Sequence, residues 1–217
     1  MKKSLIILVA VLLTSTITFA QSGNMFVTGH LGFNTYSSTN SVAGTSVDVP
    51  GGNMFDIMGE FHYKLTDNIA VGIGLDYERS SSFAGYTPQN AECYDTRSMF
   101  SIVPSAIYGI KITDNFKYIP RLYVAIGFGS LDQESTASDP IVTNTTDLSS
   151  LTIGVKPLSF EYGINDRFAI TMSFGDLYYG MDTQKSTSIL NVETKNTDKE
   201  FNLDANYGAS FGIRIYL

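Results

Sequence analysis

Tryptophan is absent from this 217-residue chain, and cysteine occurs once, at Cys93. One cysteine excludes an internal disulfide framework and a four-thiolate zinc site. Charged residues make up only 16%, against roughly 25% in an average soluble domain. Basic residues are the scarcer sign: 14 Lys and Arg face 21 Asp and Glu, a net charge of −7. That balance excludes a nucleic-acid binder with a cationic stripe. Past residue 13 there is no apolar run near the ~20 residues of a spanning helix. What remains is rich in glycine (19 residues), aromatics (12%) and hydrophobic side chains (43%).

The first twenty residues read as an export signal. Lys2 and Lys3 precede an unbroken apolar run, Leu5 to Leu13, and Thr18-Phe19-Ala20 is a small-residue exit. Cleavage is expected after Ala20. The mature chain, 21–217, has 197 residues with 12 basic and 21 acidic side chains. An exported chain without a helical span can still cross a membrane with strands.

The mature sequence alternates with period two, the mark of strands whose faces meet different surroundings. Ile69, Val71, Ile73, Leu75 and Tyr77 oppose Ala70, Gly72, Gly74, Asp76 and Glu78. In the last segment Phe201, Leu203, Ala205, Tyr207, Ala209, Phe211, Ile213, Ile215 and Leu217 oppose Glu200, Asn202, Asp204, Asn206, Gly208, Ser210, Gly212 and Arg214. Similar segments lie near 25–36, 54–64, 99–110, 118–129, 151–162 and 168–175. The apolar face of 151–162 switches around Pro157, which implies a bulge.

Eight strands result. Three short connections resemble one another: Leu65-Thr66-Asp67-Asn68, Ile112-Thr113-Asp114-Asn115 and Ile164-Asn165-Asp166-Arg167. Their Asp and Asn residues suit tight turns. The other four are expected as long polar loops, roughly 36–52, 81–96, 131–148 and 180–198. These hold about ten acids (Asp48, Glu92, Asp95, Asp132, Glu134, Asp139, Asp147, Asp182, Glu193, Asp198) against Lys185 and Lys195. Connections of about 83 residues leave about 14 per strand, enough for the ~9–11 that cross a bilayer at a tilt.

The expected fold is all-β: an eight-stranded antiparallel up-and-down transmembrane barrel with short periplasmic turns and long extracellular loops. A soluble lipocalin-type barrel would put its apolar face inward. Here the polar face carries Gly, Ala, Ser and scattered charges, which suits a narrow lumen. The interior is expected to hold a polar network of Asp56, Glu60, His62, Lys64, Asp76, Glu78, Arg97, Lys111, Arg121, Glu161, Asp204 and Arg214, since charges in a narrow lumen must pair. The apolar face has Tyr63, Tyr77, Phe100, Tyr118, Phe128, Phe168 and Phe201 near strand ends, as an aromatic girdle requires.

The signal sequence, alternating strands, Asn/Asp turns and final amphipathic strand resemble the small OmpX/OmpA-type barrels of Gram-negative outer membranes. The repeated aromatic strand, Thr-Asp-Asn turn and Gly-rich strand is similar to PorT-like barrel-domain families. The resemblance implies contact with outer-membrane lipid and lipopolysaccharide. It also implies reading of the C-terminal strand by the barrel-assembly machinery, usually through a terminal aromatic, whereas Phe211 to Leu217 ends in Leu. A periplasmic peptidoglycan-binding domain is not expected.

Three further features bear on chemistry. His30 and His62 lie on neighbouring strands near Glu60, but a hairpin centred near Gly44 sets His30 opposite about residue 58, too far from His62 for shared ligation. No metal and no cofactor is expected. Lipid A deacylases of barrel type use a His-x-Ser pair, and neither His30-Leu31-Gly32 nor His62-Tyr63-Lys64 has it, so no enzyme is expected. The expected role is structural or adhesive, through a surface protein partner of the loops. The alternatives are a narrow channel and a component of a secretion complex. Pro104, inside a predicted strand, has no account at this level.

Overall fold

A computed structural model describes residues 24–42, 45–137, 141–187, 193–204 and 210–217. The expected signal segment 1–20 lies outside them. The described chain is strands and turns. In order these are β1 (Met25–Val42), β2 (Thr45–Lys64), β3 (Ile69–Tyr86), β4 (Glu92–Tyr108), β5 (Ile110–Lys111), β6 (Phe116–Tyr118) and β7 (Arg121–Glu134), then β8 (Thr143–Lys156), β9 (Leu158–Gly163), β10 (Phe168–Phe174), β11 (Asp176–Thr187), β12 (Glu193–Asp204) and β13 (Ser210–Tyr216). They form one antiparallel sheet in the order β12-β11-β8-β7-β4-β3-β2-β1-β13-β10-β9-β6-β5. The first segment bonds the last: Phe26 to Leu31 pair with Tyr216 to Phe211. The architecture is therefore barrel-like.

Thirteen described segments stand where eight strands were expected, and backbone breaks account for several of the interruptions. Pro157 separates β8 from β9, and Ile119-Pro120 separates β6 from β7. Proline has no N–H to give a ladder. Gly175, between β10 and β11, has a φ of 69°, a left-handed angle that glycine adopts without cost. Pro104 does not end β4. Its partner on β3, Ile73, stays in register. Toward β7 the ladder runs from Asp95 to Ile102 and resumes at Ser105. The missing donor thus costs a local gap on one side only.

The three short connections are near copies. Leu65 and Thr66 both donate N–H to Ile69 O, Ile112 and Thr113 to Phe116 O, and Ile164 and Asn165 to Phe168 O. The side chains that close them are Thr66, Thr113 and Asn165, which accept from the backbone N–H of Ile69, Phe116 and Phe168 at 3.0, 3.1 and 2.9 Å. In the third turn the closing side chain is thus an Asn, as expected, while in the first two a Thr takes that place instead of the Asp or Asn. Each turn also ties to the next pass: Asn68 O accepts from Gly109, Asn115 O from Gly163, and Arg167 O from Tyr216. All three turns therefore sit at one end of the sheet, the turn end.

At the far end the expected long loops are mostly strand. β1 runs to Val42 and β2 starts at Thr45; β3 ends at Tyr86 and β4 begins at Glu92. β7 and β8 extend to Glu134 and from Thr143, and β11 and β12 to Thr187 and from Glu193. Ser and Thr populate both faces there, so no polarity period marks the strands, yet the ladders persist, as in Asp132↔Thr145 and Thr183↔Thr197. Register shifts at Tyr36/Ser38 and Phe83/Gly85 bend two of them.

Candidate functional site

The two faces of the sheet decide what the molecule can do. From Ile69 to Tyr77 every large apolar residue on one face of β3 is exposed: Ile69, Val71, Ile73, Leu75 and Tyr77. The same holds for Phe55 and Ile57 on β2, Phe100 and Ile102 on β4, Leu122, Ile126 and Phe128 on β7, and Phe211, Ile213 and Ile215 on β13. This belt is far larger than the few hundred Å² that a soluble monomer exposes. It stops sharply toward the far end, where the next outward residue after Phe55 is Asn53, after Tyr77 is Arg79, and after Phe201 is Lys199.

The aromatic residues fall near both limits of the belt. Tyr77, Phe100 and Phe128 stand side by side across three strands, and Phe201 is outward on β12 at 73% exposure. Tyr63, Tyr118 and Phe168 lie close to the turns at 65–68, 112–115 and 164–167. Leu151 and Ile153 before Pro157, and Leu158 and Tyr162 after it, are all outward, which is the switch of face that the sequence implies.

The opposite face is inward and polar. In the turn half it is filled. Glu60, buried at 3% exposure, takes the guanidinium of Arg121 and His30 Nε2, the latter at 3.3 Å. Ser105 Oγ lies 3.1 Å from His62 Nε2 and 3.4 Å from Glu60 Oε1. His62 stacks on Phe26 at 4.8 Å, and Arg214 covers the same ring at 4.2 Å. Arg214 also pairs with Glu161 and donates to Thr28 Oγ1 at 3.1 Å. Glu161 further receives Lys117 Nζ at 3.1 Å and the Tyr216 hydroxyl at 2.6 Å, while Lys64 lies over the Tyr216 ring. Phe26, Ala70, Ile107 and Ile119 add a small apolar cluster beside them.

Two carboxylates therefore organise the plug, each ringed by cations and donors. That is what burial of a charge demands. His30 stands opposite Met58, and among the described residues no three His, Cys, Asp or Glu are grouped to hold a metal ion.

In the far half the inward face walls a cavity of about 800 Å³. Asp56, Asp76 and Glu78 line it, with Arg97, whose Nη2 bonds Asp182 at 3.1 Å. Tyr123, on the same wall, donates to Asp176 at 2.8 Å. Arg121 sits between this space and the plug.

Of the expected interior residues, Glu60, His62, Arg121, Glu161 and Arg214 meet in the plug, and Lys64 lies beside it. Asp56, Asp76, Glu78 and Arg97 face the cavity. The side chain of Asp204 lies outside the described residues. Lys111 is not interior, which corrects the expectation. It is exposed and bonds Asp114 three residues on, because two-residue β5 ends at a turn and leaves the side chain in reach of the turn carboxylate. That hydrogen bond and the Lys111 charge hold the Asp114 carboxyl below its ordinary range. Sequence reasoning missed Lys117 and Tyr216, although both fall on the inward phase of alternation, and Ser105 and Thr28, whose hydroxyls carry no charge to mark them.

No protein-family model and no curated protein matches the chain. Among solved structures the chain is similar to Neisserial surface protein A, with 16% identity, TM-score 0.41, and 89% of this chain and 97% of that one covered. It is also similar to the outer membrane protein OprG from Pseudomonas aeruginosa, at 11% identity and TM-score 0.42, covering 91% and 98%. Ail, the attachment invasion locus protein of Yersinia pestis, overlays at 12% identity and TM-score 0.41, covering 90% and 100%. Similarity at this level assigns neither a family nor an activity.

Proposed function

We propose that the chain is an integral outer-membrane β-barrel of the small OmpX/OmpA-like kind, with a structural or surface-interaction role and no enzymatic one. The observation that carries this reading is the inversion of polarity: an apolar, aromatic-edged belt outside and paired ions inside. From Ile69 to Tyr77 the belt covers about 26 Å along a strand, or about 20 Å of height at a tilt of ~40°, close to the ~25 Å band of outer-membrane barrels. In water such a surface would drive aggregation.

The segments group into eight passes. β4 with β5, β6 with β7, β8 with β9, β10 with β11, and β12 with β13 each make one, and the pairing of β13 with β1 closes the ring. The turn end faces the periplasm, and the far hairpins stand above the lipid. The lipid side meets lipopolysaccharide and outer-membrane lipid, the C-terminal strand meets the assembly machinery, and the far hairpins offer a rigid acidic surface to a protein partner. The plug of Glu60 and Glu161 argues against steady conduction.

The test is gel mobility of the protein from an outer-membrane fraction, with and without boiling. A heat-dependent shift is expected. A soluble, unshifted protein overturns the reading. Steady single-channel steps in a planar bilayer would replace the plugged barrel with the narrow channel.

A further inference from the structure

We propose that the far-half cavity is a binding site for an extended organic polycation, a linear polyamine in chemical class. The wall carries seven acidic side chains and three basic ones. Two of the basic three are already committed, Arg97 to Asp182 and Arg121 to Glu60. Asp56, Asp76 and Glu78 have no ion pair among the described residues. They form a track: Asp56 stands directly opposite Glu78 across β2 and β3, and Asp76 lies two residues along the same face.

An independent observation marks the same wall. Ser101, opposite Asp76 on β4, is 9% exposed, lines the cavity, and has no hydrogen-bond partner among the described residues. Its hydroxyl opens onto the cavity, where a ligand donor can meet it. Further round the wall, on β11, Asp176 has one carboxylate oxygen bonded by Tyr123, while the other is buried without a partner.

The spacing selects the shape of the ligand. Same-face residues on a strand are about 7 Å apart, so the Asp56–Glu78 pair and Asp76 occupy two successive steps along the wall. A divalent metal needs ligands converging on one point, and no such group exists among the described residues. Ammonium groups separated by short alkyl spacers match a strung-out row, and the methylenes can lie against Met54, Met58 and Met99, which line the same space.

The site needs the barrel but not its membrane location, so it stands or falls separately from the cellular reading. The test is calorimetric titration of the full protein, folded in detergent micelles, with spermidine. Saturable binding that weakens with rising salt is expected. The pair D76N/E78Q should lower affinity about tenfold or more, the scale of a lost charge contact. Magnesium and butylamine at equal concentration should leave spermidine binding in place. Absence of saturable binding, undiminished binding in the double variant, or equal competition by magnesium overturns the proposal. The heat-dependent gel shift reports whether each variant is folded. If the double variant is not, Ser101→Lys places a tethered ammonium in the same space and should abolish spermidine binding, and retained binding there overturns the proposal too.

Discussion

Glu60 and Asp76 are inward carboxylates on neighbouring strands, yet they live differently. Glu60 lies in the turn half, ringed by Arg121, His30 and Ser105. Asp76 lies in the far half, on the wall of a cavity with no ion pair among the described residues. Two glycines differ in the same way. A Cβ on Gly72 would lie 2.4 Å from both the His62 ring and the Phe61 carbonyl, whereas one on Gly180 meets nothing nearer than 3.6 Å. One barrel wall thus encloses a packed interior at one end and an open one at the other. Stability concentrates in the first, and room for a ligand in the second.

The largest expected effect tests the packed end. Arg214→Met leaves Glu161 buried with one of its cations gone and should destabilise by roughly 3–5 kcal/mol, read as a drop in the urea midpoint of the protein in micelles. A change under ~1 kcal/mol would mean that Lys117 and Tyr216 suffice. On the outward face, Ile73→Arg should cost about 2–4 kcal/mol in lipid vesicles, and the same change at Tyr77, at the edge of the belt, about 0–1. Equal costs at the two depths would remove the membrane reading.

Gly72→Ala should cost roughly 1–3 kcal/mol by overpacking. Gly180→Ala should stay within about 0.5 kcal/mol, as is usual for a substitution clear of packing constraints. Paired melting curves of the two variants decide this. The smallest effect belongs to the turn. The Asp114 carboxyl is held below its ordinary range by Lys111, so its contribution is present above the unfolded value and fades as pH falls through the lowered one. Lys111→Ala should lower the melting midpoint only slightly at neutral pH, because solvent screens this exposed pair, and the difference from the wild type should vanish in acid, below about pH 4. A difference that persists or grows in acid would break this account.

The belt half of each strand was legible because its faces differ. Ile69 to Tyr77 and Phe211 to Leu217 show in sequence the phase that they show in space. The extensions beyond were not legible, since Ser80 to Ser82 and Thr143 to Ser150 put polar groups on both faces and leave no period to read. Sign balance in the lumen was legible too, but not partnership. Glu60 and Arg121 are 61 positions apart, and only the stagger of the strands brings them together. Asp176 and Lys156 border the breaks at Gly175 and Pro157, where alternation loses its count.

The bond from Arg214 to Thr28 joins residues 186 apart in the chain. It lies beside the β1–β13 ladder, and every other ladder among the described residues links segments from consecutive passes. Passes can therefore zip one after another at small entropic cost, while the final seam must bring the two ends of the chain together. The seam is therefore expected to form late in assembly. Contacts made after the rate-limiting barrier govern how fast a structure comes apart more than how fast it forms. On that expectation the lifetime of the folded barrel rests on its first strand holding its last.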